Sequence, residues 1–179
     1  MANIILVTGG ARSGKSSYAQ ERAEQLAGEK TFIATCPRID PEMDERIDKH
    51  IADRKDRDWH TIEEEINVAD IISKNKESDI ILLDCLTLWV NNHLYSHQQK
   101  ALLFTEDQMT SLCEQLIEVS IRHSGTIIFV TNEIGSGIVP ENSSARRYRD
   151  LVGRCNQYIA QKANEVVLVS CGIPLTLKI

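Results

Sequence analysis

The chain has 179 residues, of which 42% are hydrophobic, and it carries a formal net charge of −6. This length predicts one domain with a buried core, and the acidic balance argues against nucleic-acid binding through a broad basic surface. No apolar run approaches the ~18 residues of a membrane span, so we expect no transmembrane segment.

Apolar runs rich in β-branched residues alternate with helical patterns along the chain. Each run is nearly continuous, as in strands that are covered on both faces. The predicted strands are Ile4–Val7, Thr31–Ala34, Ile80–Leu83, Thr126–Val130, Val166–Val169 and a short last strand at Leu175–Leu177. The predicted helices cover residues 16–27, 41–54, 64–74, 86–96, 106–122 and 143–163, with longer loops at 97–105 and 132–143. This order predicts an α/β fold with a mostly parallel sheet flanked by helices on both faces.

The first predicted strand runs into a glycine-rich loop and then into a helix. The loop has the complete pattern Gly-x-x-x-x-Gly-Lys-Ser, and its residues are Gly9, Gly10, Ala11, Arg12, Ser13, Gly14, Lys15 and Ser16. Backbone N–H groups of such a loop can surround a triphosphate at the positive end of the helix dipole. Lys15 can reach the β- and γ-phosphates, and the Ser16 hydroxyl can hold Mg²⁺. We therefore predict that residues 1–179 form a single nucleotide-binding domain of the P-loop NTPase type.

A carboxylate, Asp84, ends the predicted strand Ile80–Leu83. In phosphate-loop proteins an acid at this place holds Mg²⁺ directly or through water. A strand-end aspartate can instead cap the helix that follows. The phosphate loop favours the first interpretation, so Asp84 is a candidate metal and nucleotide ligand together with Ser16.

The segment after the second predicted strand opens with Asp40 and Pro41, a typical helix start. Arg46, His50 and Arg54 recur at four-residue spacing and share one face of the predicted helix. A neutral imidazole between two guanidinium groups can act as a nucleophile, and the arginines can hold phosphate oxygens. A row of charges is also typical of a solvated helix face, so periodicity alone leaves both interpretations open.

Five cysteines are scattered along the chain without a Cys-x-x-Cys pair: Cys36, Cys85, Cys113, Cys155 and Cys171. An odd, scattered set argues against a disulfide framework and against a zinc site, and it favours a reducing compartment. The N-terminal apolar run is too short for a signal peptide and lacks preceding basic residues. We therefore expect a cytoplasmic protein.

Recognisable landmarks run almost from one end of the chain to the other. They are Leu6–Ser16, Ile33–Thr35, the spaced residues Glu42, Met43, Arg46, Ile47, His50, Arg54, Trp59, Thr61 and Glu63, then Leu82–Thr87, Val130–Asn142, Arg149–Asp150, Gly153–Arg154 and Asn156–Gln157. The Ala-Arg pair inside the phosphate loop and the Ile-Val-Pro-Glu-Asn stretch are the specific members of this set. With these landmarks the chain resembles the bifunctional adenosylcobinamide kinase / adenosylcobinamide-phosphate guanylyltransferase family of cobalamin biosynthesis.

The resemblance implies two reactions at one site. ATP or GTP phosphorylates the aminopropanol hydroxyl of the corrinoid substrate adenosylcobinamide, and Lys15 and Mg²⁺ offset charge on the transferring group. GTP then transfers GMP to a histidine with loss of pyrophosphate, and the substrate phosphate takes the GMP to give adenosylcobinamide-GDP. By motif position the histidine is His50, and its neighbour is Lys49, where some members carry a second histidine. His60 and His93 remain as distant competitors for this role.

The resemblance also implies nucleotide contacts outside the phosphate loop, at Ala34, Thr35, Cys36, Arg54 and Glu63. A carboxylate can read the N1–H and the exocyclic amine of guanine, and Glu63, Glu64 and Glu65 stay open as the residue that does so. Family members assemble as trimers, so the resemblance implies a homotrimer.

Two features near the C-terminal half carry open interpretations. The loop Asn132–Asn142 is expected to contact the substrate or another subunit, or to be a plain connector. Beyond it lies a basic cluster that can hold phosphate or form an ordinary helix surface with Asp150 as a local partner. The cluster consists of Arg146, Arg147, Arg149 and Arg154.

Two other functions fit a phosphate loop. One is a small-molecule kinase that forms no bond between protein and nucleotide. The other is a nucleotide-gated switch or assembly module. The landmarks cluster around phosphate chemistry, so the bifunctional enzyme is the leading prediction.

Overall fold

The computed structural model describes residues 2–38, 44–45, 48, 52, 54 and 57–179. Its strands are β1 (Asn3–Thr8), β2 (Lys30–Ala34), β3 (Trp59–Glu63), β4 (Ile80–Asp84), β5 (Thr126–Val130), β6 (Glu165–Ser170) and β7 (Ile173–Lys178). They form one sheet in the order β3-β2-β4-β5-β1-β6-β7. Every neighbouring pair is parallel except β6 and β7, which are antiparallel.

Five helices connect these strands in the described part of the chain. They are α1 (Lys15–Glu24), α2 (Val68–Lys74), α3 (Leu86–Gln99), α4 (Glu106–Arg122) and α5 (Ser143–Lys162). Residues 44, 45, 48, 52 and 54 also have helical backbone, and the rest of the helix predicted over 41–54 lies outside the described residues. No helix in the described ranges combines the length and the apolar character needed to cross a membrane.

The predicted fold class and all six predicted strands are confirmed, and the sequence prediction missed β3. This strand lies at the edge of the sheet, and none of its five residues is buried. An edge strand therefore lacks the continuous apolar run on which the prediction depended. Three helix boundaries are also wrong: α1 ends at Glu24 rather than at residue 27, α2 begins at Val68 rather than at residue 64, and α3 continues to Gln99 through the start of a predicted loop.

Side chains that alternate along the central strands build a core on each face of the sheet. On one face Ile4, Leu6, Leu83 and Phe129 pack with α2 to α5. On the other face the alternate strand residues pack against Ala19 and Ala23 of α1; they include Ile5, Val7, Leu82, Ile128, Val130 and Val167. Burying each such aliphatic side chain stabilises the fold by about 1.5–3 kcal/mol. Because both faces are covered, the central strands β1, β4 and β5 are apolar at every position between their end residues.

The strand register places five residues in one row across the carboxyl edge of the sheet. Glu63 pairs with Ala34, Ala34 with Asp84, Asp84 with Val130, and Val130 with Val7. Four strand spacings of about 4.8 Å separate the two ends of this row, a span of about 19 Å. The phosphate loop leaves β1 two residues beyond Val7. The candidate ligands at the ends of β3, β2 and β4 therefore lie at the same edge of the sheet as the phosphate loop.

Candidate active site

The phosphate loop, Gly9–Ser16, leaves β1 and enters α1 directly. Arg12 and Gly14 have left-handed backbone conformations, with φ of 56° and 91°, a geometry that turns successive N–H groups inward. Gly14 is the N-cap of α1, and the first turn of the helix carries no acidic side chain. The positive end of the helix dipole is therefore not offset by an acidic side chain of that turn, and the loop is built to bind an anion.

Gly9 is required by close approach. A Cβ at this position would lie 2.3 Å from the carbonyl oxygen of Val169 and 2.6 Å from Ser13 Oγ. The β6–β7 turn supports the loop from the same side, because the Gly172 N–H donates to the carbonyl of Ser13 at 2.8 Å. The end of β6 and the turn that follows it therefore support the shape of the phosphate loop.

Lys15 lies folded against its own loop, 9% exposed, with Nζ donating to the carbonyl of Gly10 at 3.2 Å. Burial and the Asp84 carboxylate raise the pKa of the Cys85 thiol to about 12, and the Lys15 ammonium acts in the opposite direction. The charges of Asp84 and Lys15 are therefore both felt at Cys85, the N-cap of α3. The Ser13 hydroxyl is shielded from solvent and has no hydrogen-bond partner within the described residues, so the loop holds a polar atom that a phosphate oxygen can satisfy.

Asp84 does not cap the helix that follows it. The N-cap of α3 is Cys85, whose side chain makes no capping hydrogen bond, so the capping interpretation of Asp84 is wrong. Ser16 and Asp84 supply the hydroxyl and carboxylate oxygens that Mg²⁺ prefers, and Mg²⁺ takes its other ligands from phosphate and water. The oxygens of Ser16 and Asp84 therefore fit this ion. A different kind of metal site, made of three or more His, Cys, Asp or Glu side chains, is not present in the described ranges.

Thr35, between Ala34 and Cys36 at the end of β2, has its side chain committed to the fold. It is fully buried, and its hydroxyl donates to the Cys85 carbonyl at 2.7 Å and accepts from the Cys85 N–H at 2.8 Å. Its own carbonyl accepts from Asn92 at 2.8 Å. Thr35 therefore joins β2 to α3, and the predicted nucleotide contacts of Ala34, Thr35 and Cys36 stay predictions.

Arg54 lies on the face of the sheet that α1 covers. Its guanidinium carbon is 3.6 Å from the centre of the Phe32 ring, and the side chain is 4% exposed. Trp59 meets the same ring edge-on at 6.0 Å. Arg54 is thus packed against the middle of β2, and its contact with nucleotide stays a prediction.

The three consecutive glutamates after β3 differ in what holds them. Glu64 Oε1 accepts the N–H groups of Ile66 and Asn67 at 2.9 and 2.7 Å, so this side chain supports the start of α2. Glu65 is exposed, with no side-chain hydrogen bond to the described residues. Glu63 lies in the row and is therefore the best placed of the three to meet a base at the carboxyl edge.

Arg38 binds Glu63 through a two-pronged contact that the sequence prediction missed. Nε and Nη2 of Arg38 donate to the two carboxylate oxygens of Glu63 at 3.1 and 2.8 Å, and this contact lowers the pKa of Glu63. Nη1 lies 2.9 Å from Asp48 and 3.6 Å from Asp44. A basic residue just beyond a strand, before two acids at four-residue spacing, is the signal that could have indicated this contact. The candidate nucleophile His50 lies outside the described residues.

The loop between β5 and α5 is fixed at both ends. The Glu133 N–H donates to the Gly9 carbonyl at 3.0 Å, which joins the start of the loop to the phosphate loop. Arg146 donates to two carbonyls at the other end, at 2.9 and 2.6 Å. Between these anchors Ile138 and Val139 are 97% and 62% exposed, so the loop presents apolar side chains to solvent.

A shallow groove of about 380 Å³ lies between this loop and α5. Arg149 and Asp150 line it together with Gly135, and Arg149 Nη1 is shielded from solvent with no hydrogen-bond acceptor among the residues described. Arg154, at the same groove, is paired with Glu106 at 2.7 Å. Arg146 donates to the loop carbonyls, and Arg147 does not line the groove. Within the basic cluster Arg149 is therefore the member best suited to an added ligand.

Comparison with known proteins identifies the family. The family model described as cobinamide kinase / cobinamide phosphate guanyltransferase matches residues 5–177. The chain belongs to this family. It is 37% identical to the bifunctional adenosylcobalamin biosynthesis protein CobU of Escherichia coli K12, and 39% identical to the CobU protein of Salmonella typhimurium; each alignment covers 98% of this chain and 99% of the relative. It is 37% identical to the CobP protein of Pseudomonas aeruginosa, over 97% of this chain and 96% of the relative.

The fold also recurs in a distant solved structure. A prototypical ATPase from the type III secretion system of pathogenic bacteria superposes with a TM-score of 0.60 at 10% identity, covering 93% of this chain and 50% of the ATPase chain. At this identity the likeness supports the fold alone.

Proposed function

We propose that this chain phosphorylates adenosylcobinamide and then transfers GMP to the product through a guanylyl-histidine intermediate. The observation that carries the proposal is the row across the carboxyl edge, which ends at Glu63 on one side and leads into the phosphate loop on the other. Membership of the cobinamide kinase / guanylyltransferase family supports both reactions. We treat residues 1–179 as one nucleotide-binding domain.

The kinase step uses the phosphate loop. The substrate hydroxyl attacks the γ-phosphorus of ATP or GTP, the bond from that phosphorus to the β-phosphate oxygen breaks, and the nucleoside diphosphate leaves. The hydroxyl proton is released to solvent. Lys15 exchanges its contact with the Gly10 carbonyl for the phosphate oxygens and stabilises their charge. Ser16 and Asp84 would hold Mg²⁺, which when bound offsets charge on the transferring group.

The guanylyl step uses His50 as the nucleophile. An imidazole nitrogen attacks the α-phosphorus of GTP, and pyrophosphate leaves. A phosphate oxygen of the phosphorylated substrate then attacks the same phosphorus, and the histidine is released. Dividing the transfer into two displacements is the usual advantage of covalent catalysis.

We assign the acceptor to the groove between α5 and the β5–α5 loop. A corrinoid is a broad ring with apolar faces and polar amide groups at its edge. It therefore suits a shallow polar groove lined by a loop that also carries exposed apolar side chains, Ile138 and Val139. Arg149 can take an amide oxygen or the phosphate of the acceptor. The Glu133–Gly9 hydrogen bond keeps this surface next to the phosphate loop.

Intact-mass spectrometry after incubation with GTP and Mg²⁺ tests the central step. We expect the polypeptide to gain one guanylyl group, and the bond to be labile in acid and stable in base. His50→Ala should gain none, whereas the control His60→Ala, changed at an exposed position of β3, should gain it normally. A wild-type chain that never gains the group, or a His50→Ala chain that does, contradicts the proposal. Phosphorylation of cobinamide without any gain indicates a kinase alone.

The resemblance also leads us to propose a homotrimer in the cytoplasm. All five cysteines are free thiols, which supports a reducing compartment. A sedimentation mass of one chain would contradict the trimer.

A further inference from the structure

Arg38 presents to Glu63 the same pattern of donors that guanine would present. Its Nε and Nη2 donate side by side, one to each carboxylate oxygen. The N1–H and exocyclic amine of guanine form an equivalent planar pair of donors. A carboxylate can offer its two oxygens in this side-by-side manner to one such partner at a time, so Arg38 and guanine compete for Glu63.

The third nitrogen of Arg38 already has other acceptors. Nη1 lies 2.9 Å from Asp48 Oδ1 and 3.6 Å from Asp44 Oδ1. Both acids have helical backbone, and at four-residue spacing they share one helix face. An Arg38 side chain that leaves Glu63 therefore has two carboxylates that can keep it.

The exposure of the contact allows this exchange. The side chains of Arg38, Glu63 and Asp48 are 36%, 42% and 66% exposed. Ion pairs at such exposure are weak and are screened by salt, so a bound base can replace one partner. Adenine presents an acceptor at N1 beside its amine, and it does not match a carboxylate in this way.

We propose that Arg38 is a positioning residue that guanine displaces from Glu63, and that Asp44 and Asp48 then hold it. Base recognition at the end of β3 thereby tightens the restraint on Asp44 and Asp48, which lie six and two residues before His50 in the sequence. The inference rests on the proposed function, because it takes Glu63 as the reader of guanine and His50 as the nucleophile.

The test is Arg38→Ala, with affinity and transfer measured separately. Without the competitor, the Kd for GTP should fall by about threefold or more, while the Kd for ATP should change by less than about twofold. The single-turnover rate of guanylyl incorporation at saturating GTP should fall by about tenfold or more. A variant that binds better and reacts more slowly is not explained by general damage, which would weaken binding of both nucleotides.

Arg57→Ala is the matched control, because Arg57 forms an exposed ion pair with Glu24 at 3.3 Å and does not contact Glu63. It should leave both measurements unchanged. Asp48→Asn keeps the contact between Arg38 and Glu63 and weakens the alternative acceptor, so it should raise the Kd for GTP and slow the transfer. If Arg38→Ala does not fold, Asp48→Asn tests the proposal in its place. Unchanged or weaker GTP binding in Arg38→Ala overturns the proposal, as does an unchanged transfer rate. If the wild-type chain takes up no GMP, the proposed function fails, and the GTP and ATP affinities still decide the displacement.

Discussion

At the scale of single residues, His93 is a buried imidazole in an aromatic setting. It is 8% exposed, stacks on Phe104 at 5.8 Å and meets Trp89 edge-on at 5.2 Å. Burial, with a smaller contribution from His97, lowers the pKa of His93 to about 4. The neutral imidazole is therefore the form that the folded chain accommodates.

This lowered pKa predicts a loss of stability in mild acid. The unfolded chain binds the proton near pH 6.5 and the folded chain only near pH 4, so the contribution of His93 is complete above 6.5 and is lost between 6.5 and 4. The loss is about 3 kcal/mol over that window. Urea denaturation at several pH values should show a shallower acid dependence in His93→Phe than in the wild type. The same acid dependence in His93→Phe and in the wild type would contradict this prediction. His60→Gln, a change at an exposed position, is the control.

Residue types at the site are predictable from the sequence, whereas their partners are not. Gly9 to Ser16 and Asp84 stand where the pattern predicts them, because local strand and helix signals fix their positions. Thr35 forms its hydrogen bonds with Cys85, fifty residues away, and Arg38 binds Glu63, twenty-five residues away. Such pairs depend on the order of strands in the sheet, which no local pattern contains.

At the scale of elements, two glycines differ in the space that surrounds them. Gly125 lies before β5, where a Cβ would be 1.9 Å from the carbonyl oxygen of Asp79. Gly153 lies in α5 with nothing within 4 Å of a Cβ. The same substitution should therefore have opposite effects at the two positions.

Gly125→Ala should lower the free energy of unfolding by about 1–3 kcal/mol, because the backbone at Asp79 must move. Gly153→Ala should raise it by about 0.5–1 kcal/mol, because alanine has the higher helix propensity. Denaturant unfolding of both variants beside the wild type measures the two shifts. Equal shifts of one sign would show that the approach of Gly125 to Asp79 does not limit the fold.

The elements that the sequence predicts well are those whose burial is uniform. The central strands β1, β4 and β5 are apolar at every position between their end residues, because α1 covers one face and α2 to α5 cover the other. The edge strand β3 escapes prediction because it has no buried residue. Helix ends are predicted less well. Glu64 is not part of α2, but its side chain accepts the Asn67 N–H just before the helix begins at Val68.

At the scale of the whole molecule, the candidate contacts for the two substrates divide between halves of the sheet. Glu63, Ala34 and Asp84 belong to the half formed by β3, β2 and β4. The groove and the β5–α5 loop follow β5, which lies between β4 and β1. The phosphate loop, which follows β1, connects the two regions.

This division predicts that Arg149→Ala acts on the acceptor alone. The KM for cobinamide phosphate should rise by about tenfold, because a charge-assisted contact is lost, while the Kd for GTP and the guanylylation of the chain should not change. Arg122→Ala, an exposed arginine paired with Glu118 on α4, is the control and should change neither. Steady-state kinetics with each substrate varied in turn makes the measurement. A raised Kd for GTP in Arg149→Ala would contradict the assignment.

The reversed direction of β7 has a practical consequence. Parallel β1 begins at Asn3 on the edge of the sheet opposite the phosphate loop, and antiparallel β7 returns Lys178 to that same edge, level with Val166. A linker attached beside either residue would therefore point away from the ligands. A sensor chip that carries the enzyme by such a tether leaves the proposed nucleotide and corrinoid surfaces open to the flowing solution.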